Sequence, residues 1–223
     1  MANANHRSRR KGRNAAQLSR KKSVKNPYER VLIVTEGSKT EPYYFRELRN
    51  HFRLSSANIE ITGKSDPTPD CIIKYAKTAF ARERSAGNPF DKVFCVFDRD
   101  SHAVYDAVVA EISTMRPRGV FSAVLSVPSF EYWLRLHFSY TAAPYAAAGR
   151  RSAGDMVVAD LKRHIPAYEK ALEGVFQLLL TRLDTALLNA ERRSTEVEHE
   201  KSDNPSTQVH ILVRYLMSFK ENP

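Results

Sequence analysis

Two short apolar runs, "VLIVT" at 31–35 and "KVFCVF" at 92–97, pass straight into acidic residues: Glu36 after the first, Asp98-Arg99-Asp100 after the second. A strand with one wet face alternates apolar and polar side chains, whereas an unbroken run of Val, Ile, Leu and Phe suits a strand covered on both faces. Such strands belong to sheets sandwiched between helices. A weaker run, "NIEIT" at 58–62, and a further one, "VFSAVLS" at 120–126, bring the number to four, the first strand being read from 29 to 35. Segments with helical spacing separate them. Thr40 is expected to cap a helix with Glu41 and Pro42 in its first turn. Asp66-Pro67 and Thr68-Pro69 open a second helix, which runs through Phe80, and a third is expected over 101–115. Strands alternating with helices predict βαβ units, hence an α/β fold with a mostly parallel sheet flanked by helices.

After 126 the pattern turns helical. It comprises "SFEYWLRLHF", a loop of small residues at 141–154 and a helix from about 155. A long helix is expected over 166–193, where Leu172, Val175, Phe176, Leu179, Leu183 and Leu187 recur at spacings of three and four. A last helix opens with Asn204 as N-cap and Pro205 at its first position. The chain thus divides into a tail at 1–28, an α/β core at 29–140 and a helical C-terminal extension at 141–223 that packs on the core. Phe130 and Trp133 read as core residues, and His137 as a structural histidine.

The formal charge of +10 is concentrated in the tail. Residues 1–28 hold nine of the 35 basic residues and no acid, which leaves 26 basic against 25 acidic in the rest. A segment so charged and so poor in large apolar groups is expected to be disordered and to attract polyanions in a salt-dependent way, either as a nucleic-acid arm or as a solubilising, non-specific extension. It lacks the apolar run of a secretory signal, and no apolar run elsewhere approaches membrane-spanning length. Cys71 and Cys95 are isolated from one another, so a disulfide framework and a Cys-based zinc site are both unsupported, and a cytoplasmic setting fits.

In a parallel sheet, ligands gather beyond the carboxyl ends of the strands. Glu36, Asp98, Asp100 and Glu131 would all lie there. Asp98 and Asp100 point the same way from an extended segment. Taken singly, each of these acids reads as a cap or a solvated group. Together they repel unless a cation neutralises them, and an all-oxygen set of this kind suits Mg²⁺ or Mn²⁺. Glu36 would complete the metal shell or move a proton. "EGSKT" at 36–40 lacks the G-x-x-x-x-G-K-[ST] spacing of a P-loop, although its backbone and Lys39 can face a phosphate. No G-x-S-x-G or H-E-x-x-H pattern occurs, which argues against a serine hydrolase or a zinc protease.

The ordered motifs "VTEGSKTEPYYF", "VFCVFDRDSH", "SVPSFEYWLRLHF" and "DNPSTQVHILVRYL" resemble the RloB-like family, which is related to Toprim proteins and associated with bacterial restriction and abortive-infection loci. The resemblance implies a Toprim-like fold and Mg²⁺-dependent phosphoryl transfer, with Glu36, Asp98 and Asp100 at the metal. The matches extend to Glu41, Glu131 and the segment at 204–207, whereas Val127 stands where family members show Asn before the proline. The activity so implied is that of a nuclease acting on RNA, with tRNA among the candidates, or on DNA in anti-phage defence. Glu41 and Glu131 would assist a second ion or position water, and Lys39 and Arg99 would offset phosphate charge. The rival expectation is a non-catalytic subunit of a partner AAA-type ATPase. Nucleic acid is the expected partner, no membrane is, and an oligomer stays open.

Overall fold

In a computed structural model of the chain, residues 29–56, 58–63, 68–99, 105–200 and 202–221 are described. The tail at 1–28, Asp66-Pro67, Asp100 and the first four residues of the helix expected from 101 lie outside them. Five strands form one sheet in the order β2-β1-β3-β4-β5, with β1 Val31–Thr35, β2 Ile59–Gly63, β3 Lys92–Asp98, β4 Phe121–Val127 and β5 Ser206–Thr207. The first four strands are parallel and β5 runs antiparallel to β4. The chain is therefore mixed α/β with a mostly parallel sheet, as the apolar runs predict.

The unbroken apolar runs are explained by cover on both faces. Helices α2 (Pro69–Ser85) and α3 (Tyr105–Thr114) pack on Leu32, Val34, Val93, Cys95 and Phe97. The opposite face, with Val31, Ile33, Phe94 and Val96, is covered by α1 (Thr40–His51) and by helices from the C-terminal part of the chain. Those are α4 (Glu131–Arg135), α5 (Ala153–Leu161), α6 (Val175–Leu179), α7 (Leu183–Val197) and α8 (Val209–Glu221). One continuous apolar cluster joins Val31 and Phe94 to Trp133, Leu187 and Leu212. Among the described residues no helix is long and apolar enough to cross a membrane.

Three expectations fail locally, each because a tertiary contact outweighs a local preference. The helix expected over 166–193 is interrupted: residues 166–174 form turns, and a 3-10 turn at Leu180–Arg182 separates α6 from α7. Ala171 (φ 72°) and Gly174 (φ 80°) are left-handed, which a right-handed helix cannot accommodate. Contacts with α1 hold this loop. Ala171 N donates to Thr40 Oγ1 (2.9 Å), while Gly174 N and Phe176 N donate to the two oxygens of Glu47 (2.6 and 3.0 Å). Glu47 thereby serves the exposed N–H groups at the start of α6.

Thr40 consequently does not cap α1; its hydroxyl accepts from Ala171, and no side chain caps that helix. Nor does Asn204 cap α8. Asn204 Nδ2 donates to Tyr145 O (2.8 Å) and its Oδ1 accepts from Tyr145 N (3.2 Å). The chain crosses a cis Asn204–Pro205 bond and adds β5 to the sheet before α8 begins. Buried Arg193 of α7 secures this connection by donating to Pro205 O at 2.7 Å and to Glu200 at 2.8 Å.

Candidate functional site

Strand order reverses between β1 and β3, since the chain leaves β1 for β2 on one side and returns to β3 on the other. At such a switch point a crevice opens beyond the strand ends. Glu36 follows Thr35 at the end of β1, and its backbone N donates to Val96 O of β3 (2.9 Å). Its carboxylate turns across the gap and accepts from Asp98 N (2.9 Å), so the last residue of β3 is fixed against the end of β1. Asp98 stands beside Ser126 of β4, from which a cis Val127–Pro128 bond leads into Glu131 at the start of α4.

Glu36, Glu41, Asp98 and Glu131 line a single cavity of about 480 Å³, together with Gly37, Lys39, Lys170 and Ala171. Close packing builds this crowding. A Cβ on Gly37 would lie 2.2 Å from Glu41 Oε2, so only glycine lets that carboxylate fold back against the turn. Gly63 at the end of β2 sits directly beneath the same turn, where a Cβ would meet Gly37 O at 2.5 Å and Ser38 Cα at 2.7 Å. Thr35 Oγ1 donates to Gly37 O (2.8 Å) and fixes the turn from the strand side.

The electrostatics follow from the burial. Glu41 is 7% exposed, and desolvation, with the charges of Glu131 and Glu36 adding, pushes its carboxyl up to about 7 against the backbone N–H groups that favour the anion. Burial and then the charges of Glu41, Glu131 and Glu36 hold Asp98 well above the ordinary carboxylate range, with Lys170 opposing them. Glu131, 3% exposed, is oriented at both oxygens: Ser129 Oγ donates to one at 2.7 Å and Tyr168 OH to the other at 3.3 Å.

The expected residues separate clearly. Glu36, Lys39, Glu41, Asp98 and Glu131 share the cavity. Arg99 pairs with Asp203 and stands over the Tyr105 ring, away from the cavity lining. His137 is fully buried, with Nδ1 against Trp133 O at 3.1 Å and its imidazole held down to about 4 by burial; it lies in the core with Trp133 and Phe130. Lys170, Tyr168 and Ser129 are additions that the sequence alone does not single out. Ser129 is signalled faintly by its position two residues before Glu131 in "PSFE", whereas Tyr168 and Lys170 lie in a segment whose pattern reads as helix.

The donor set is all oxygen and in excess of the nearby positive charge, which suits a hard divalent cation. Among the described residues, however, no group of three or more His, Cys, Asp or Glu side chains is arranged to hold a metal ion. No curated protein and no solved structure matches the chain. The family model described as RloB-like protein matches residues 31–216, from the first residue of β1 into α8 and across every carboxylate of the cavity. The chain belongs to the RloB-like family.

Proposed function

We propose that the chain is a Toprim-like, Mg²⁺- or Mn²⁺-dependent nuclease that hydrolyses phosphodiester bonds in RNA, tRNA included, or in DNA, as an effector of bacterial anti-phage defence. The observation that carries this reading is the convergence on one cavity of four carboxylates, from the turn after β1, α1, the end of β3 and the start of α4, where two of them retain a proton far more readily than a free acid. Carboxylates packed in this way become useful when charge is brought to them. Mg²⁺ usually takes one or two carboxylates and completes its shell with waters and substrate phosphate, so a partial protein shell is compatible with it. Glu36, Asp98 and Asp100 would hold the ion.

When bound, that ion supplies Lewis acidity toward phosphoryl oxygen and acidifies a water. The chain's own residues account for the rest. Glu41, poised near neutrality, is suited to exchange a proton with water or with a leaving oxygen. Glu131, fixed by Ser129 and Tyr168, is suited to orient a water, while Lys39 and Lys170 at the rim offset phosphate charge.

The test is incubation of the purified chain with end-labelled tRNA, other RNA and DNA, in the presence of Mg²⁺ or Mn²⁺, beside Glu36→Gln and Asp98→Asn. Cleavage by the wild type and its loss in both variants is the expected result; equal cutting by all three removes the site from the reaction. A second reading, a non-catalytic subunit restrained by an AAA-type ATPase, draws on the lack of a three-residue metal group among the described residues. Co-purification with such an ATPase, and no cutting of any substrate, would favour it.

A further inference from the structure

The hairpin that precedes α5 has no part in the carboxylate cavity, yet it is built as a fixed arm. Ala148 and Arg151 exchange both backbone hydrogen bonds (3.0 and 3.1 Å), and Gly149 (φ 62°) turns the chain between them. The arm's base is held at Tyr145, whose backbone N and O both engage Asn204 and whose hydroxyl donates to Asp160 at 2.7 Å. Asp160 is in turn anchored by Arg135 at 2.8 Å. This scaffolding presents Arg150 and Arg151, both exposed. Among the described residues neither has an ion-pair or hydrogen-bond partner for its guanidinium.

The arm stands beside the cavity. Arg151 leads into Ser152, the N-cap of α5, and Gly154 of that helix lies against Ser129, which donates to Glu131. Asp155 feels the charges of both Lys170 and Arg151, so the arm and the lysine at the cavity rim share one neighbourhood. Asp155 itself is occupied by the capping box with Ser152. Lys170 at the cavity and Arg151 on the arm thus act on the same carboxylate, and Arg150 adds a further exposed cation at the turn.

We propose that the 148–151 hairpin is a phosphate-binding arm that grips the sugar–phosphate backbone of the nucleic-acid strand beyond the bond presented to the carboxylates. The proposal rests on the nuclease reading of the cavity, but binding can be measured apart from cleavage. Arginine suits the task because its planar guanidinium pairs two-pronged with phosphate oxygens. A turn already closed by two backbone hydrogen bonds also loses less freedom on binding than an open loop.

The experiment measures fluorescence anisotropy of a labelled single-stranded RNA oligonucleotide against salt concentration, without divalent metal. It compares the full-length wild type with Arg150→Ala/Arg151→Ala and with a charge-matched control, Arg116→Ala/Arg118→Ala, at exposed positions preceding β4, toward the opposite end of the sheet. Removing a side chain that neutralises one phosphate lowers the slope of log affinity against log salt by about 0.7 for a single strand, so the arm variant should show a slope smaller by roughly 1.4 and the control an unchanged one. With Mg²⁺ present, the arm variant should cleave with a raised KM and an unchanged kcat. Equal slopes for the wild type and the arm variant, or equal reductions in the arm and control variants, would overturn the arm while leaving the nuclease reading intact. A reduced slope confined to the arm variant, without cleavage by the wild type, would keep the arm and overturn the nuclease.

Discussion

Replacing Glu41 by Gln tests whether the cavity is a store of uncompensated negative charge. In the folded chain the Glu41 carboxyl titrates near 7 against 4.5 for the free group, and burial is the main cause. Because the folded state holds this proton more tightly, it binds more protons than the unfolded chain between about pH 4.5 and 7. Stability therefore falls as pH rises through that window, and the full cost is present above about pH 7. At 1.36 kcal/mol per pKa unit the shift corresponds to about 3 kcal/mol. Gln keeps the shape and one acceptor oxygen but carries no charge, so Glu41→Gln should gain up to about 3 kcal/mol at about pH 8 and almost nothing near pH 4.5. For a chain of this size that is a rise in Tm of roughly 6 to 12 °C. Differential scanning fluorimetry across pH, with and without millimolar Mg²⁺, measures it. The ion should stabilise the wild type more than the variant, by mass action on the folded state, and so narrow the gap. A variant less stable than the wild type at about pH 8, or a gap that does not change with pH, would refute the reasoning.

The two glycines under the turn should behave differently. Gly63→Ala meets backbone atoms of Gly37 and Ser38 and should cost about 1–3 kcal/mol in urea unfolding, whereas Gly37→Ala meets only the flexible end of Glu41 and should spare stability while lowering cleavage. His137 acts opposite in sign to Glu41: its imidazole is lowered from 6.5 to about 4 by burial, so its contribution is complete above about pH 6.5 and is lost as pH falls toward 4, about 3 kcal/mol in all. His137→Leu should accordingly move the midpoint of acid unfolding, followed by circular dichroism, to lower pH. Glu47→Ala strips the acceptors from Gly174 N and Phe176 N and should cost about 1–2 kcal/mol in urea unfolding, with faster amide exchange confined to the segment at 171–176.

What can be read in the sequence and what cannot separate along a physical line. Val31 to Val34 and Val93 to Phe97 are legible because burial on both faces demands an unbroken apolar run, and the acids that follow mark the strand ends whatever the rest of the chain does. The meeting of Glu36, Asp98 and Glu131 in one cavity is legible because parallel neighbours bring their carboxyl ends to one edge as a matter of topology. The segment at 166–174 is not legible. Its composition permits a helix, and what forbids one is a pair of α1 side chains, Thr40 and Glu47, more than 120 residues earlier in sequence. The same holds for Asn204, whose local rule is to cap the following helix and whose actual partner is the backbone of Tyr145. In both places a side chain with a local alternative is drawn to a distant backbone, and in both the result positions cations: the first brings Lys170 to the carboxylates, the second steadies the hairpin that carries Arg150 and Arg151. Anionic groups can be inferred from strand order alone, but the cations that face them are set by long-range loop contacts, so substrate preference should be sought in those loops.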